Sequence, residues 1–210
     1  MKALDVAQYI LIEESKRDRV LSNLRLQKYL YLSQFMSIGL YGFGLFTDDI
    51  EAWEYGPCIP NIYSRFKMYG SIGILVLGWD NKKYVPDVLG NKLLYEEPNK
   101  YDKIVIDKAI EFCDKYTDKE LTDICHNQDC YDLARCGAYL KCRLCSNGNI
   151  IYLIPESAIY NYIQNLDESQ LLYYGIKEPE KPKPVKKKRK TKRKKKTNPG
   201  TKLLDKLRKV

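Results

Sequence analysis

The stretch SNLRLQKYLYLSQFMSIGLY, Ser22 to Tyr41, decides the fold. Ser22 is placed to accept a hydrogen bond from the first free N–H groups of a helix. Behind it, Leu26, Tyr29, Leu30, Tyr31, Leu32, Phe35, Met36, Ile38 and Leu40 leave apolar side chains on nearly every face. A helix that is apolar all round is either buried in a core or crosses a membrane. This one is interrupted by Arg25, Gln27, Lys28, Ser33, Gln34 and Ser37 within ~18 residues, too polar for a span. The sequence therefore predicts a buried central helix over 24–41, and the neighbouring segments must cover it.

Upstream, Leu4, Ala7 and Leu11 share a stripe with Val6, Tyr9 and Ile10 beside it, which predicts an amphipathic helix over 4–15 with Glu13, Glu14 and Lys16 towards solvent. Downstream, Gly39, Gly42 and Gly44 end the central helix, and Phe46 to Tyr55 reads as a short extended or irregular segment closing on Gly56-Pro57. Pro60 suits the first turn of a helix over 61–69, stopped by Gly70. A short β element at 74–79 and 83–85 flanks Asp80-Asn81.

Ile104, Ile106, Ala109, Ile110 and Cys113 carry helical periodicity through 102–116. Thr117 and Glu120 then form a capping box for the next helix, and Asp129 is placed to cap another to about Ala138. Tyr139 to Cys145 and Ile150 to Ile154 flank Asn147-Gly148, a hairpin signal, and Pro155 opens a last helix of the body, with Ile159, Tyr162, Ile163 and Leu166 inward. The fold class expected is mainly α, of the α+β kind: a compact helical domain with a small β-hairpin component.

Charge divides the chain. Residues 177–210 hold 17 Lys and Arg against 3 acids, a net +14, which leaves −5 on residues 1–176 of a chain whose total is +9. The basic balance therefore belongs to a tail and not to the fold. Prolines and like charges deny that tail a core, so it is expected to be disordered, with the domain at 1–176. Lys186, Lys187, Lys188, Arg189, Lys190, Lys192, Arg193, Lys194, Lys195 and Lys196 are dense enough to hold DNA or RNA phosphates by counterion release. In a eukaryotic host the same run would serve as a nuclear-import address. No aromatic residue interrupts it, which argues against base stacking.

No long apolar run and no secretory leader is present, so the expected location is cytoplasmic, with no membrane partner. Seven cysteines then read as thiols in a reducing compartment. Cys142-x-x-Cys145 has the spacing of one zinc knuckle, for which Cys125, His126, Cys130 and Cys136 could supply the other ligands. Their irregular spacing favours free thiols over zinc, so no metal or cofactor is expected. Cys58, in Gly56-Pro57-Cys58-Ile59-Pro60, would need a base to act as a nucleophile, and the single histidine, His126, lies far along the chain. His126 reads instead as a hydrogen-bonding tie between a helix end and its neighbour. No enzyme activity and no small-molecule substrate is expected.

Leu24-Arg25-Leu26-Gln27-Lys28-Tyr29-Leu30-Tyr31-Leu32-Ser33-Gln34, then Phe46-x-x-x-Ile50-Glu51-Ala52-Trp53-x-Tyr55-Gly56-Pro57-x-Ile59-Pro60-x-Ile62-Tyr63, then Tyr116-Thr117-Asp118-Lys119-Glu120-Leu121-x-x-x-Cys125-His126 with Tyr131 to Arg135 after it, closely resemble the Panacea domain of SocA-like antitoxins, also described as phage-associated GepA-type proteins. The resemblance covers roughly residues 4–165 in matching order and spacing. Cys58 stands where that family commonly has valine, and Cys130-Tyr131 where it often has Pro-Trp. The resemblance implies a mainly helical, non-catalytic protein that neutralises a toxin partner in a toxin–antitoxin pair by direct binding. Trp53, Tyr55 and Tyr63 are the candidate contact residues, since aromatics anchor interfaces as readily as they fill cores. The rival reading is a viral or phage accessory protein that associates with nucleic acid, or enters the nucleus, through its basic tail.

Overall fold

The computed structural model describes residues 1–79, 82–86, 96–137, 142–144 and 150–177. The basic run Lys186–Lys196 and the turns expected at Asp80-Asn81 and Ser146–Asn149 lie outside the described residues.

Helix α2, Asn23–Tyr41, is the axis of the fold, and every residue from Leu26 to Ile38 is buried. Ser22 caps it, its hydroxyl accepting from the Arg25 N–H at 3.1 Å. At the far end Gly42 adopts φ 80° and donates to the Ile38 carbonyl at 2.9 Å, a left-handed stop that favours glycine. Gly39, expected among the helix-ending glycines, lies inside α2.

Against this axis pack α1 (Ala3–Lys16), α3 (Pro60–Phe66), α4 (Lys100–Cys113), α5 (Asp118–His126) and α7 (Glu156–Gln164). Helices α6 (Asp129–Arg135) and α8 (Glu168–Tyr173) complete the eight α-helices among the described residues. Three antiparallel hairpins accompany them: β1–β2 (Glu51–Trp53 and Gly56–Cys58), β3–β4 (Leu77–Trp79 and Lys82–Tyr84) and β5–β6 (Cys142–Leu144 and Ile150–Tyr152). The protein is thus mainly helical with a small antiparallel β component. The segment after β6 joins β1 through the Ile154 N–H, which donates to Ile50 at 2.8 Å.

Polar side chains from α2 hold the surrounding layers in register. Arg25 donates to the carbonyl of Cys113 at the end of α4, at 3.1 Å, and to that of Tyr116 just beyond it, at 3.0 Å, and pairs with Asp118 at 2.7 Å. Gln34 accepts from the Leu45 and Phe46 N–H groups at 2.7 and 3.0 Å and donates to the Phe46 carbonyl at 3.1 Å, fixing the loop that leaves α2.

Several local expectations are corrected. Glu14 does not face solvent: it is fully buried and pairs with Arg17 at 3.1 Å and Arg19 at 3.6 Å, both of which also bind Asp114. Its position at the edge of the apolar stripe of α1 brings it against the end of α4, where the two arginines supply the counter-charge. Gly56-Pro57 opens β2 and so does not close the extended segment. Gln128, not Asp129, occupies the cap position of α6, and it makes no capping hydrogen bond there. Helix α7 is followed by α8, which Asp167 caps by accepting from Gln170 at 2.9 Å. A six-residue helix has too little periodicity to be read from sequence, although Asp167 and Gln170 do form a capping box.

Candidate functional site

Asn23 and Gln27, one turn apart on α2, and Lys28, next in the chain, each reach a different part of the chain that follows. The Asn23 amide donates to the Tyr63 carbonyl at 3.0 Å and accepts from Gln27 at 3.1 Å. Gln27 in turn accepts from the Ile59 N–H at 2.8 Å. The Lys28 ammonium donates to the Tyr55 carbonyl and, at 3.4 Å, to the Pro57 carbonyl. The polar residues that interrupt the central helix are therefore the fasteners of the β1–β2 hairpin and the start of α3.

Gly56, at φ +92°, lies between this helix face and α5. A Cβ there would sit 2.5 Å from the Lys28 Nζ and 3.3 Å from the His126 Nε2. Two nitrogens thus converge on the bare side of one glycine. From the other side α6 holds β1: the Tyr131 hydroxyl donates to the Trp53 carbonyl at 2.6 Å, and Arg135 donates to the Ala52 carbonyl at 3.2 Å. His126 stacks on the Tyr131 ring, centroids 4.6 Å apart and planes within 11°.

Between the hairpin, α3 and the start of α2 opens a cleft of about 640 Å³. Trp53 and Tyr55 of the hairpin and Tyr63 of α3 all line it together with Leu24, Lys28 and Gly56. Trp53 and Tyr63 meet edge to face at 4.9 Å, and the indole N–H donates to Glu51 at 2.7 Å. Tyr55 is 65% exposed and Tyr63 is 37% exposed, so both keep surface free for contact.

Burial governs the electrostatics. Lys28 is only 1% exposed, and desolvation holds its pKa below the ordinary lysine value. The neighbouring thiols supply no negative charge near neutral pH, because burial pushes both Cys58 and Cys125 up to about 12. Burial, and next the Lys28 charge, lower the pKa of His126. The expected hydrogen-bonding role of His126 is corrected at Nε2, which is buried and has no hydrogen-bond partner. It faces the Lys28 ammonium, which offers only donors.

The cysteines separate by environment. Cys58, Cys113, Cys125 and Cys130 are buried free thiols and Cys136 is an exposed one. Cys130 lies within 3.4 Å of the Tyr31 hydroxyl, and burial raises it to about 11. The Cys142 side chain and all of Cys145 lie outside the described residues. Among the described residues no group of three His, Cys, Asp or Glu is placed to hold a metal ion. None of the described helices is long and apolar enough to cross a membrane.

Of this site, sequence reasoning named the three aromatics and missed the fasteners. The available signal was Asn23, Gln27 and Lys28 at helical spacing inside an otherwise apolar helix, a pattern that calls for buried partners.

Polar side chains of the core helix thus brace an aromatic hairpin beside an open cleft. The model of the family described as antitoxin SocA-like, Panacea domain, matches residues 26–131, and the chain belongs to that family. The match runs from α2 into α6 and takes in Gln27, Lys28, the β1–β2 hairpin, Tyr63 and His126. No curated protein and no solved structure matches the chain.

Proposed function

We propose that this protein is a non-catalytic antitoxin that neutralises a toxin partner by direct protein–protein binding, with the cleft beside the β1–β2 hairpin as the binding face. The observation that carries the reading is the coincidence of the family match with the elements that build the cleft. A cleft with aromatic anchors set among polar and charged side chains such as Glu54, Lys67 and Asp118 suits a protein interface, where Trp and Tyr carry a disproportionate share of the binding energy. Burial, which pushes the Cys58 thiol up to about 12, favours a binding role over thiol chemistry.

The test is co-expression with the product of the adjacent open reading frame. That product should arrest growth alone, and co-expression should restore growth and give a complex that survives purification. A toxic neighbour that this protein neither binds nor relieves would remove the reading.

The charge of residues 177–210, +14 in net, supports a second activity in the same protein, the retention of DNA or RNA through Lys186–Lys196. Deleting residues 181–196 should abolish salt-sensitive retention on nucleic acid; retention that survives the deletion would exclude the tail.

A further inference from the structure

We propose that the apolar face formed by residues 20–24 and 67–75 is covered by a second copy of this chain, packed about a two-fold axis. Val20, Met68, Ile72 and Leu75 are all exposed there, Ile72 to 93%. They rest on a fixed floor: the Ile74 N–H donates to the Leu21 carbonyl at 2.8 Å, and Leu21 and Ile74 are themselves buried. Gly73, at φ +109°, brings the turn so close to the other segment that a Cβ on it would lie 2.4 Å from the Val20 Cγ1. The same two segments reach the cleft, where Leu24, Lys67, Gly70 and Ser71 line it. The apolar face therefore adjoins the rim that holds Tyr55 and Tyr63.

Size and charge identify the occupant. From their fractional exposures the four apolar residues leave roughly 500 Å² open to solvent, more than a monomer usually exposes in one patch. Tyr55 and Tyr63 bring the face to roughly 800 Å², the area that each partner covers in a stable interface. The charges on its rim are of both signs. Lys28 is buried against backbone carbonyls and Asp118 is held by Arg25, which leaves Glu54 and Lys67 as the lining groups that form no ion pair among the described residues. A partner surface of one sign would satisfy one of these and oppose the other. A second copy related by a two-fold axis sets Glu54 against Lys67 twice, because such an interface matches a patch with itself. The apolar area supplies the energy and the two charge pairs set the orientation. The inference does not rest on the toxin-binding reading; a toxin seated in the cleft would compete with the second copy.

Sedimentation equilibrium of the full, nuclease-treated chain tests this, from about 1 to about 200 µM in about 0.15 M salt, where mass action drives association and repulsion between the basic tails is screened. The mass should rise from one chain to two and stop there. Ile72→Asp places a charge in the middle of the apolar contact and should weaken association by about ten-fold or more. Met68→Asp is the second variant, and thermal unfolding of each confirms that the fold is kept. Glu54→Lys and Lys67→Glu should each weaken the dimer, and the double variant should restore it, since both pairs are then re-formed with their signs exchanged. A single chain at every concentration, a mass that climbs past two chains, a dimer indifferent to both aspartate variants, or a double charge variant no tighter than the single ones overturns the inference.

Discussion

Lys28 and Gly56 share one pocket of space: a Cβ on residue 56 would lie 2.5 Å from the Lys28 Nζ, so the hairpin turn and the core helix approach as closely as they do because residue 56 has no side chain. The same residue adopts φ +92°, where side chains of L-amino acids are strained. Gly56→Ala should therefore lower stability by about 1–3 kcal/mol, mostly through the backbone, because the lysine terminus can shift. Urea unfolding of the variant beside the parent measures it, and an unchanged midpoint would contradict the contact.

His126 should report the charge of Lys28. Its pKa is held down by burial first and by Lys28 next, with Arg135 acting in the same direction and Asp123 and Asp132 opposing. Lys28→Met should raise the pKa of His126 towards the ordinary value of about 6.5. NMR titration of the one imidazole decides this, and an unmoved pKa would mean that the two groups are not electrostatically coupled. The stability consequence has a definite sign. The folded-state pKa lies below the unfolded one, so in the interval between them the unfolded chain binds more protons and stability falls as pH falls. His126→Gln should flatten the stability–pH curve just below pH ~6.5.

Gln34 saturates the loop that leaves α2, meeting both N–H groups and a carbonyl of Leu45 and Phe46. Gln34→Ala leaves these buried backbone groups without partners, at a cost of about 1–3 kcal/mol for each that water does not reach. Gln34→Glu preserves the acceptor and loses the donor, so it should fall between the parent and the alanine variant in thermal unfolding. An alanine variant as stable as the parent would show that solvent replaces the side chain.

The thiols offer a test of burial. Cys136 is exposed, whereas Cys58, Cys113, Cys125 and Cys130 are buried, with Cys58 and Cys125 pushed up to about 12. Among these five, alkylation at neutral pH followed by peptide mapping should label Cys136 well before the rest, and the four should react together on unfolding. Early labelling of Cys58 would place it at the open surface of the cleft.

The parts of the fold legible in the sequence were those with a repeating pattern or a capping pair. The apolar run of α2, the Ser22 cap and the Thr117–Glu120 box appear where periodicity and cap chemistry put them. What was not legible depends on partners distant in the chain. Glu14 reads as solvent-facing until Arg17, Arg19 and Asp114 surround it, and Lys28 reads as an interruption until the Tyr55 and Pro57 carbonyls are seen above it. Spacing along one helix carries no information about a hydrogen bond across nearly thirty residues of intervening chain. The site aromatics were named for their type and from the resemblance; their meeting in one cleft follows from how Asn23, Gln27 and Lys28 fasten the hairpin to α3.

Trp53 and Tyr63 give the sharpest test of the proposed interface. They touch edge to face at 4.9 Å, and Trp53 is also fixed by its indole bond to Glu51 and by the Tyr131 bond to its carbonyl. Trp53 is thus preorganised, which reduces the entropy lost on binding. If a partner docks here, Trp53→Ala should weaken the toxin complex by about 2 kcal/mol or more, roughly thirty-fold in Kd, as interface anchors do. Trp53→Phe keeps an aromatic edge for Tyr63 and loses the Glu51 bond, so it should retain most of the affinity if packing is what matters. Tyr55→Ala provides the internal comparison: the side chain is 65% exposed on the turn, and its removal should leave thermal stability within about 0.5 kcal/mol of the parent. A toxin complex unaffected by either alanine variant, with both folded, would move the interface away from this hairpin.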